Sequence, residues 1–217
     1  MFCSCCNSDL IANHLLEDDV IPPMTNKSRI IYPKCSICGK PIQLSDLVNN
    51  IDDSQKVLLI TGTAGAGKTA IGQLIENKSE YVFIDGDAIQ KKVNYFAKHD
   101  PTYTVDYQAE TINAMLITLA LGYDVVVGYI INREILTMYK NELSKYNIVP
   151  VFRVLVPKRK VCLERDIIRE CWTAGAEWVD KWYDEMRSYL TTNNLLCIDT
   201  SNETLEETFN KHFANIL

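Results

Sequence analysis

The sequence is short of positive charge. Of its 217 residues, 22 are Lys or Arg and 28 are Asp or Glu, giving a formal net charge of −6 and a pI near 5.1. This balance argues against broad electrostatic binding of nucleic acid or an anionic membrane, and leaves room only for a local basic patch at Lys158, Arg159 and Lys160. No apolar run approaches the length of a membrane span, and the N-terminus does not show the basic, apolar and cleavage regions of a signal peptide in order. A cytoplasmic protein that acts on small soluble substrates is the expectation. Internal repeats and low-complexity tracts are also missing. With 47% hydrophobic residues the chain can bury one good core, with a small appendage, but is too short for two full catalytic domains.

What is present begins with residues 56–69, KVLLITGTAGAGKT, where an apolar run ends in three glycines, a lysine and a threonine. The pattern G-x-x-x-x-G-K-T is complete and predicts a buried strand over Val57 to Ile60, a phosphate-binding loop, and a helix from Thr69 to Asn77. Gly62, Gly65 and Gly67 let the backbone turn tightly with its amides inward, and Thr63, Ala64 and Ala66 complete the cradle. Lys68 reaches the β- and γ-phosphates of a nucleoside triphosphate, and the Thr69 hydroxyl suits Mg²⁺.

The rest of residues 51–217 alternates strands with helices. Tyr81 to Ile84 is a second strand ending in Asp85-Gly86-Asp87, which places two carboxylates at the strand's carboxyl end, where ligands collect in an open α/β sheet. Either one suits orientation of an acceptor hydroxyl, with the other holding Mg²⁺ through water; a plain strand-ending turn is the competing reading. A helix over Ala88 to Ala97 and a polar loop from Lys98 to Asp106 follow, and His99 in it reads as a surface or structural histidine. Tyr107 to Leu121 predicts a helix stopped by Gly122, and Val125 to Ile131 a third strand. That strand ends without the aspartate that many phosphate-loop enzymes place there for the metal. Asn132 suits an N-cap, and Arg133 either faces the substrate or lies on the surface.

Val151 to Val156 predicts a fourth strand, and a charged helix from Lys158 carries Arg165 and Arg169, four apart and therefore on one face. They either clamp transferring phosphates or belong to a solvated ion-pair surface with Glu164, Asp166 and Glu170. A break follows over Cys171 to Gly175, with Gly175 as a hinge for closure. Trp178, Trp182 and Tyr183 at helical spacing read as core packing before base stacking. Leu195 to Ile198 is the last strand, with a loop and cap at Asp199 to Asn202 before a terminal helix over Glu203 to Ile216. The count predicts an α/β fold, a five-stranded parallel sheet between two helical layers.

Residues 1–50 are of another kind. Five of the eight cysteines, Cys3, Cys5, Cys6, Cys35 and Cys38, lie there. Cys3/Cys6 and Cys35/Cys38 form two C-x-x-C pairs, and four thiolates so spaced complete a tetrahedron around Zn²⁺ with no open position for water. Cys5 competes with Cys6, and free cysteines in a disordered tail, or redox use of a pair, compete with the metal. A short helix over Leu44 to Ile51 bridges to the larger domain.

Taken together, GTAGAGKT at 62–69, FIDGD at 83–87, CLERDIIRE at 162–170 and LCIDTSNETLEET at 196–208 resemble the small P-loop kinases of the nucleoside and nucleotide kinase-like group, relatives of polynucleotide kinase, adenylylsulfate kinase and chloramphenicol phosphotransferase. The resemblance covers about residues 56–217 and implies a P-loop NTPase three-layer sandwich, use of ATP and Mg²⁺, and transfer of the γ-phosphoryl group to a small acceptor such as a nucleoside or nucleotide. It implies that Asp85 or Asp87 lies near the acceptor, that Arg165 and Arg169 belong to a mobile lid, and that Thr200 to Asn202 passes near the adenine. It does not explain the cysteine segment, expected as a small zinc-ribbon-like subdomain able to bind a protein partner. Two other roles stay open: a polynucleotide 5′-end kinase, which the acidic charge disfavours, and a nucleotide-dependent regulatory ATPase that docks its partner through the zinc segment.

Overall fold

The structure, a computed structural model, describes residues 50–99, 106–168, 173–191 and 197–217. The four cysteines expected to hold zinc, their rival Cys5, and Arg169 lie outside these residues.

Five strands, β1 (Val57–Gly62), β2 (Tyr81–Asp85), β3 (Asp124–Gly128), β4 (Val151–Leu155) and β5 (Cys197–Ile198), form one parallel sheet in the order β2-β3-β1-β4-β5. Seven helices are described: α1 (Lys68–Lys78), α2 (Gly86–His99), α3 (Tyr107–Ala120), α4 (Arg133–Ser144), α5 (Arg159–Ile167), α6 (Ala176–Ser188) and α7 (Leu205–His212). Every residue of β1 is buried, as expected of a central strand covered on both faces. Its alternating side chains divide between two cores. Val57 and Leu59 join Met115 and Leu119 of α3 and Tyr139 and Leu143 of α4, whereas Leu58 and Ile60 join Ile71 and Ile75 of α1 and Phe209 of α7. The fold is therefore the expected three-layer α/β sandwich.

The connections fix where a ligand can sit. The helix after β1 lies on one face of the sheet and the helix after β3 on the other, while β1 and β3 are neighbours paired Leu59 to Val127. A crevice opens at the carboxyl ends of adjacent strands whose connections leave in opposite directions. The phosphate loop, the Asp85 turn and the end of β3 all reach that edge.

Element ends differ from expectation for local reasons. The third strand stops at Gly128, not Ile131, because the Thr61 hydroxyl accepts from the Ile131 amide at 2.7 Å and replaces the next ladder bond. Helix α2 starts at Gly86, not Ala88, since the Asp85 carboxylate accepts from the Asp87 amide at 2.9 Å. The terminal helix spans Leu205–His212, shorter than expected, and its cap is Thr204 in a reciprocal box with Glu207. Asn132 caps α4 as expected, accepting from the Ile135 amide at 2.8 Å. Gly122 ends α3 with φ of +92°. Among the described residues no helix is long and apolar enough to cross a membrane.

Candidate phosphate-binding and acceptor site

The loop from Gly62 to Gly67 owes its shape to what its glycines touch. At Gly65 φ is +75°, and a Cβ there would lie 2.0 Å from the Cys162 carbonyl oxygen of α5. No side chain fits between loop and helix. Gly67 is left-handed at φ +101° and begins α1 without a side-chain cap, with nothing within 4 Å of where its Cβ would stand. A helix N-terminus reached through a glycine-rich turn presents amides to an anion. Lys68 lies across the loop, 8% exposed, its Nζ donating to the Gly62 and Thr63 carbonyls at 2.9 and 3.0 Å. A largely desolvated ammonium beside a helix N-terminus is a positive centre suited to phosphate oxygens.

The outer wall of the loop comes from two helices far along the chain. The Thr63 hydroxyl donates to the Val179 carbonyl of α6 at 2.9 Å, and Ala64, Cys162, Val179 and Tyr183 pack together beneath it. Burial pushes the Cys162 thiol up to about 11, so it is a packing group with little thiolate to react. The sequence left Cys162 without a role; its contact with Gly65 depends on how α5 crosses the loop, which no local pattern encodes.

Asp85 and Asp87 stand at the carboxyl end of β2, where the sequence placed them, with Asp87 already in the first turn of α2. They differ in environment. Asp85 is 7% exposed, and its pKa is raised to about 6, first by desolvation and then by the Asp87 charge, against the hydrogen bonds from the Asp87 and Ala88 amides and the attraction of Lys68. Asp87 is half-buried. The β3 position paired with Asp85 is Gly128, and a Cβ there would meet the buried Phe83 ring at 2.9 Å and the Lys68 Cβ at 3.7 Å. Phe83 thus fills the space that an aspartate at that strand end would need.

The residue after β3 is Tyr129, which the sequence reading left unassigned. It packs against the carboxylate turn so closely that a Cβ on Gly86 would lie 2.4 Å from its ring. Tyr107 meets it edge-on, with centroids 5.9 Å apart. The Tyr139 hydroxyl donates to Gln108 Oε1 at 2.5 Å. This group comes from α3, the residue after β3, and α4, which are distant in sequence, and no local pattern flags it.

Arg165 is pinned, not free. Its guanidinium donates to the Thr200 hydroxyl at 3.1 Å and to the Thr200 carbonyl at 2.9 Å. The Ser201 hydroxyl accepts from the Lys158 amide at 2.6 Å, so the 199–202 loop is fastened to both ends of α5. Thr200 is buried and Asn202 exposed. Arg165, expected in a lid, and the loop expected near the adenine are therefore one unit. Asp166, 1% exposed, accepts from the Gly175 amide at 3.0 Å and ties the end of α5 to the start of α6. Gly175 has φ of +88°, consistent with the expected break. Of the aromatic stripe, Tyr183 is buried, Trp182 half-buried and Trp178 41% exposed, the two indoles lying 6.1 Å apart with Lys181 over both. Arg133 is exposed with its guanidinium 5.0 Å from the Tyr189 ring, and His99 is exposed, bonded to the Tyr95 carbonyl. Among the described residues no group of three or more His, Cys, Asp or Glu gathers to hold a metal.

No protein-family model and no curated protein matches the chain. Among solved structures it is similar to a tunicamycin resistance protein of Deinococcus radiodurans, at 16% identity and TM-score 0.55, covering 75% of this chain and 95% of that one. It is also similar to a gluconokinase from Sinorhizobium meliloti 1021, at 17% identity and TM-score 0.53, covering 75% and 91%. The likeness shows the fold. This chain shares with those proteins the α/β sandwich described above.

Proposed function

We propose that this protein is a cytoplasmic ATP-dependent phosphotransferase that moves the γ-phosphoryl group to a hydroxyl oxygen of a small-molecule acceptor. The observation that carries the proposal is the pairing of a complete phosphate loop with a buried carboxylate on the same sheet edge: Lys68 lies across the loop, and Asp85 sits within its field. The gluconokinase likeness supports the reading by its fold, and the loop and carboxylates supply the chemistry.

The residues present fit a nucleotide with its metal. Gly67 opens the loop where amides are needed, Lys68 supplies fixed positive charge, and Thr69 in the first turn of α1 would hold Mg²⁺, with Asp87 assisting through water. Mg²⁺ when bound neutralises phosphate charge and orients the transferred group. In the transfer the acceptor oxygen bonds to the γ-phosphorus as the bond to the β,γ-bridging oxygen breaks. The acceptor hydroxyl proton passes to Asp85, and ADP leaves with the bridging oxygen. A carboxylate with a pKa of about 6 is ionised at neutral pH yet is a better base than an ordinary aspartate. Lys68 offsets the charge moving onto the leaving oxygen, and the buried floor of the loop limits water as a competing acceptor. Arg165 holds the Thr200 to Asn202 loop against α5, where it would bound the adenine, and Arg169 would join the phosphates from the lid.

Lys68→Ala is expected to abolish transfer from labelled ATP to any acceptor the wild type uses, with the thermal unfolding transition retained. Undiminished transfer by that variant sinks the proposal.

A further inference from the structure

The site has an acceptor side whose chemistry is uniform. Beside the Asp85-Gly86-Asp87 turn lie Tyr129, with its ring flat against Gly86, and Tyr107, half-buried and edge-on to it. Behind them the buried Tyr139 hydroxyl is spent on Gln108 Oε1, and the Thr111 hydroxyl on the Tyr107 carbonyl at 2.8 Å. One polar group is left over. Gln108 is 5% exposed and its Nε2 has no hydrogen-bond partner. Turning the amide over does not cure this, since Tyr139 has one hydroxyl to share and one end of the amide stays unmet. A buried unmet donor is costly, and its persistence next in sequence to Tyr107, whose ring meets Tyr129 at the carboxylate turn, points to a ligand oxygen.

The charged side chains on the turn and at the head of α3 are carboxylates. Tyr129 is held neutral, its pKa raised first by burial and also by Tyr107, Asp87 and Tyr139. Asp85, Asp87 and Asp106 lie on the turn and at the head of α3, and α3 itself carries no Lys or Arg. The cations between Gly86 and Tyr129 are Lys91, Lys92 and Lys98, all on α2. Among Asp85, Asp87, Asp106, Tyr107, Gln108 and Tyr129 a phosphate on the acceptor would meet carboxylates and phenols, and none of these residues offers a guanidinium fork. A hydroxyl-rich neutral compound meets donors and acceptors that match its own.

We infer that Tyr107, Gln108 and Tyr129 form a specificity-determining wall that selects an uncharged, hydroxyl-rich acceptor over its phosphorylated counterpart, with the Gln108 amide donating to an acceptor oxygen. The inference rests on the phosphoryl-transfer reading, and between the nucleoside and nucleotide acceptors admitted by the sequence it chooses the nucleoside type, along with sugars and polyols.

The test uses the full-length protein and matched pairs: uridine and uridine 5′-monophosphate, ribose and ribose 5-phosphate, glucose and glucose 6-phosphate. With labelled ATP, the uncharged member of at least one pair is expected to show a kcat/KM at least tenfold above its partner. Gln108→Met and Tyr129→Phe are expected to raise KM for that acceptor about tenfold, with KM for ATP unchanged and a cooperative unfolding transition retained. A phosphorylated member used equally or better overturns the inference, as does an unchanged acceptor KM in both variants. Turnover of neither member in any pair counts against phosphoryl transfer itself. The wall is then judged by calorimetric titration of the same pairs in the presence of ADP and Mg²⁺. Tenfold tighter binding of an uncharged member, weakened in Gln108→Met, supports it; no preference, or no binding, overturns it.

Discussion

Asp85 carries two duties that pull against each other. Its carboxylate accepts from the amides at the start of α2, and it is buried beside a second carboxylate. Folding raises its pKa from 3.8 to about 6, so the folded state holds the proton more tightly than the unfolded chain. The resulting stability is complete below pH 3.8, declines as pH rises through 6, and is gone above it. At neutral pH the buried charge therefore costs about 3 kcal/mol. Asp85→Asn keeps an oxygen for the α2 amides and removes the charge. It is expected to melt higher than wild type at pH 7.5 and alongside it at pH 4, while transfer falls at least a hundredfold. In the wild type, kcat/KM is expected to drop about tenfold per pH unit below 6, because a protonated Asp85 cannot accept the hydroxyl proton. Equal melting at pH 7.5, or a rate that ignores pH between 5 and 7, would show that Asp85 serves only as a helix cap. The sequence identified the Asp85/Asp87 pair but not which member is buried, because that depends on β3 and α1 closing over β2.

At the scale of elements, α5 is the piece that joins the donor loop to the rest of the site. Its Cys162 carbonyl lies against Gly65 and its Arg165 holds the Thr200 loop. Gly65→Ala combines a left-handed φ with backbone at 2.0 Å, and a backbone carbonyl cannot rotate away as a side chain can. Loss of ATP-dependent thermal stabilisation is the expected outcome, read by melts with and without nucleotide. Arg165→Lys leaves the charge and removes the two-pronged hold on Thr200. If Arg165 works by fixing the 199–202 loop, KM for ATP rises about tenfold, the worth of one charge-assisted hydrogen bond, and kcat changes little. A fall in kcat with KM unchanged would instead make it a lid arginine acting on the transferring group. Elements were legible wherever a single helix or strand carried its own pattern: Asn132 and Gly122 stand as read, and the first strand and the GKT helix exist as read, the strand running on to Gly62 and the helix starting one residue earlier at Lys68. Ends were misplaced where a side chain from another element ended the ladder, as Thr61 does for β3 and Asp85 for α2. The missing third-strand aspartate was visible as an absence. Its cause, the Phe83 ring against Gly128, belongs to packing between strands and has no local signature.

Over the whole molecule, the phosphate loop is written in one contiguous stretch and the proposed acceptor wall is not. Gly62 to Thr69 sits in eight consecutive residues, whereas Tyr107, Gln108, Tyr129 and Tyr139 come together only because α3, β3 and α4 pack on one face of the sheet. The division into residues 1–50 and 51–217, proposed from the cysteine distribution, is open to experiment because the two parts can be produced and compared. A ligand that binds only the folded state adds about 2.7 kcal/mol at a hundredfold excess over Kd, so the chain from residue 51 is expected to unfold in one transition and to show the same ATP-dependent rise in melting temperature as the full-length protein. The full-length protein is expected to carry one zinc per chain and the shorter chain none, with Cys35→Ser and Cys38→Ser each removing the metal, because three remaining thiolates leave the tetrahedron open. Metal analysis of protein purified without chelator decides the second point. Zinc-free full-length protein retires the four-sulfur site, and a shorter chain that no longer responds to ATP makes residues 1–50 part of the nucleotide domain.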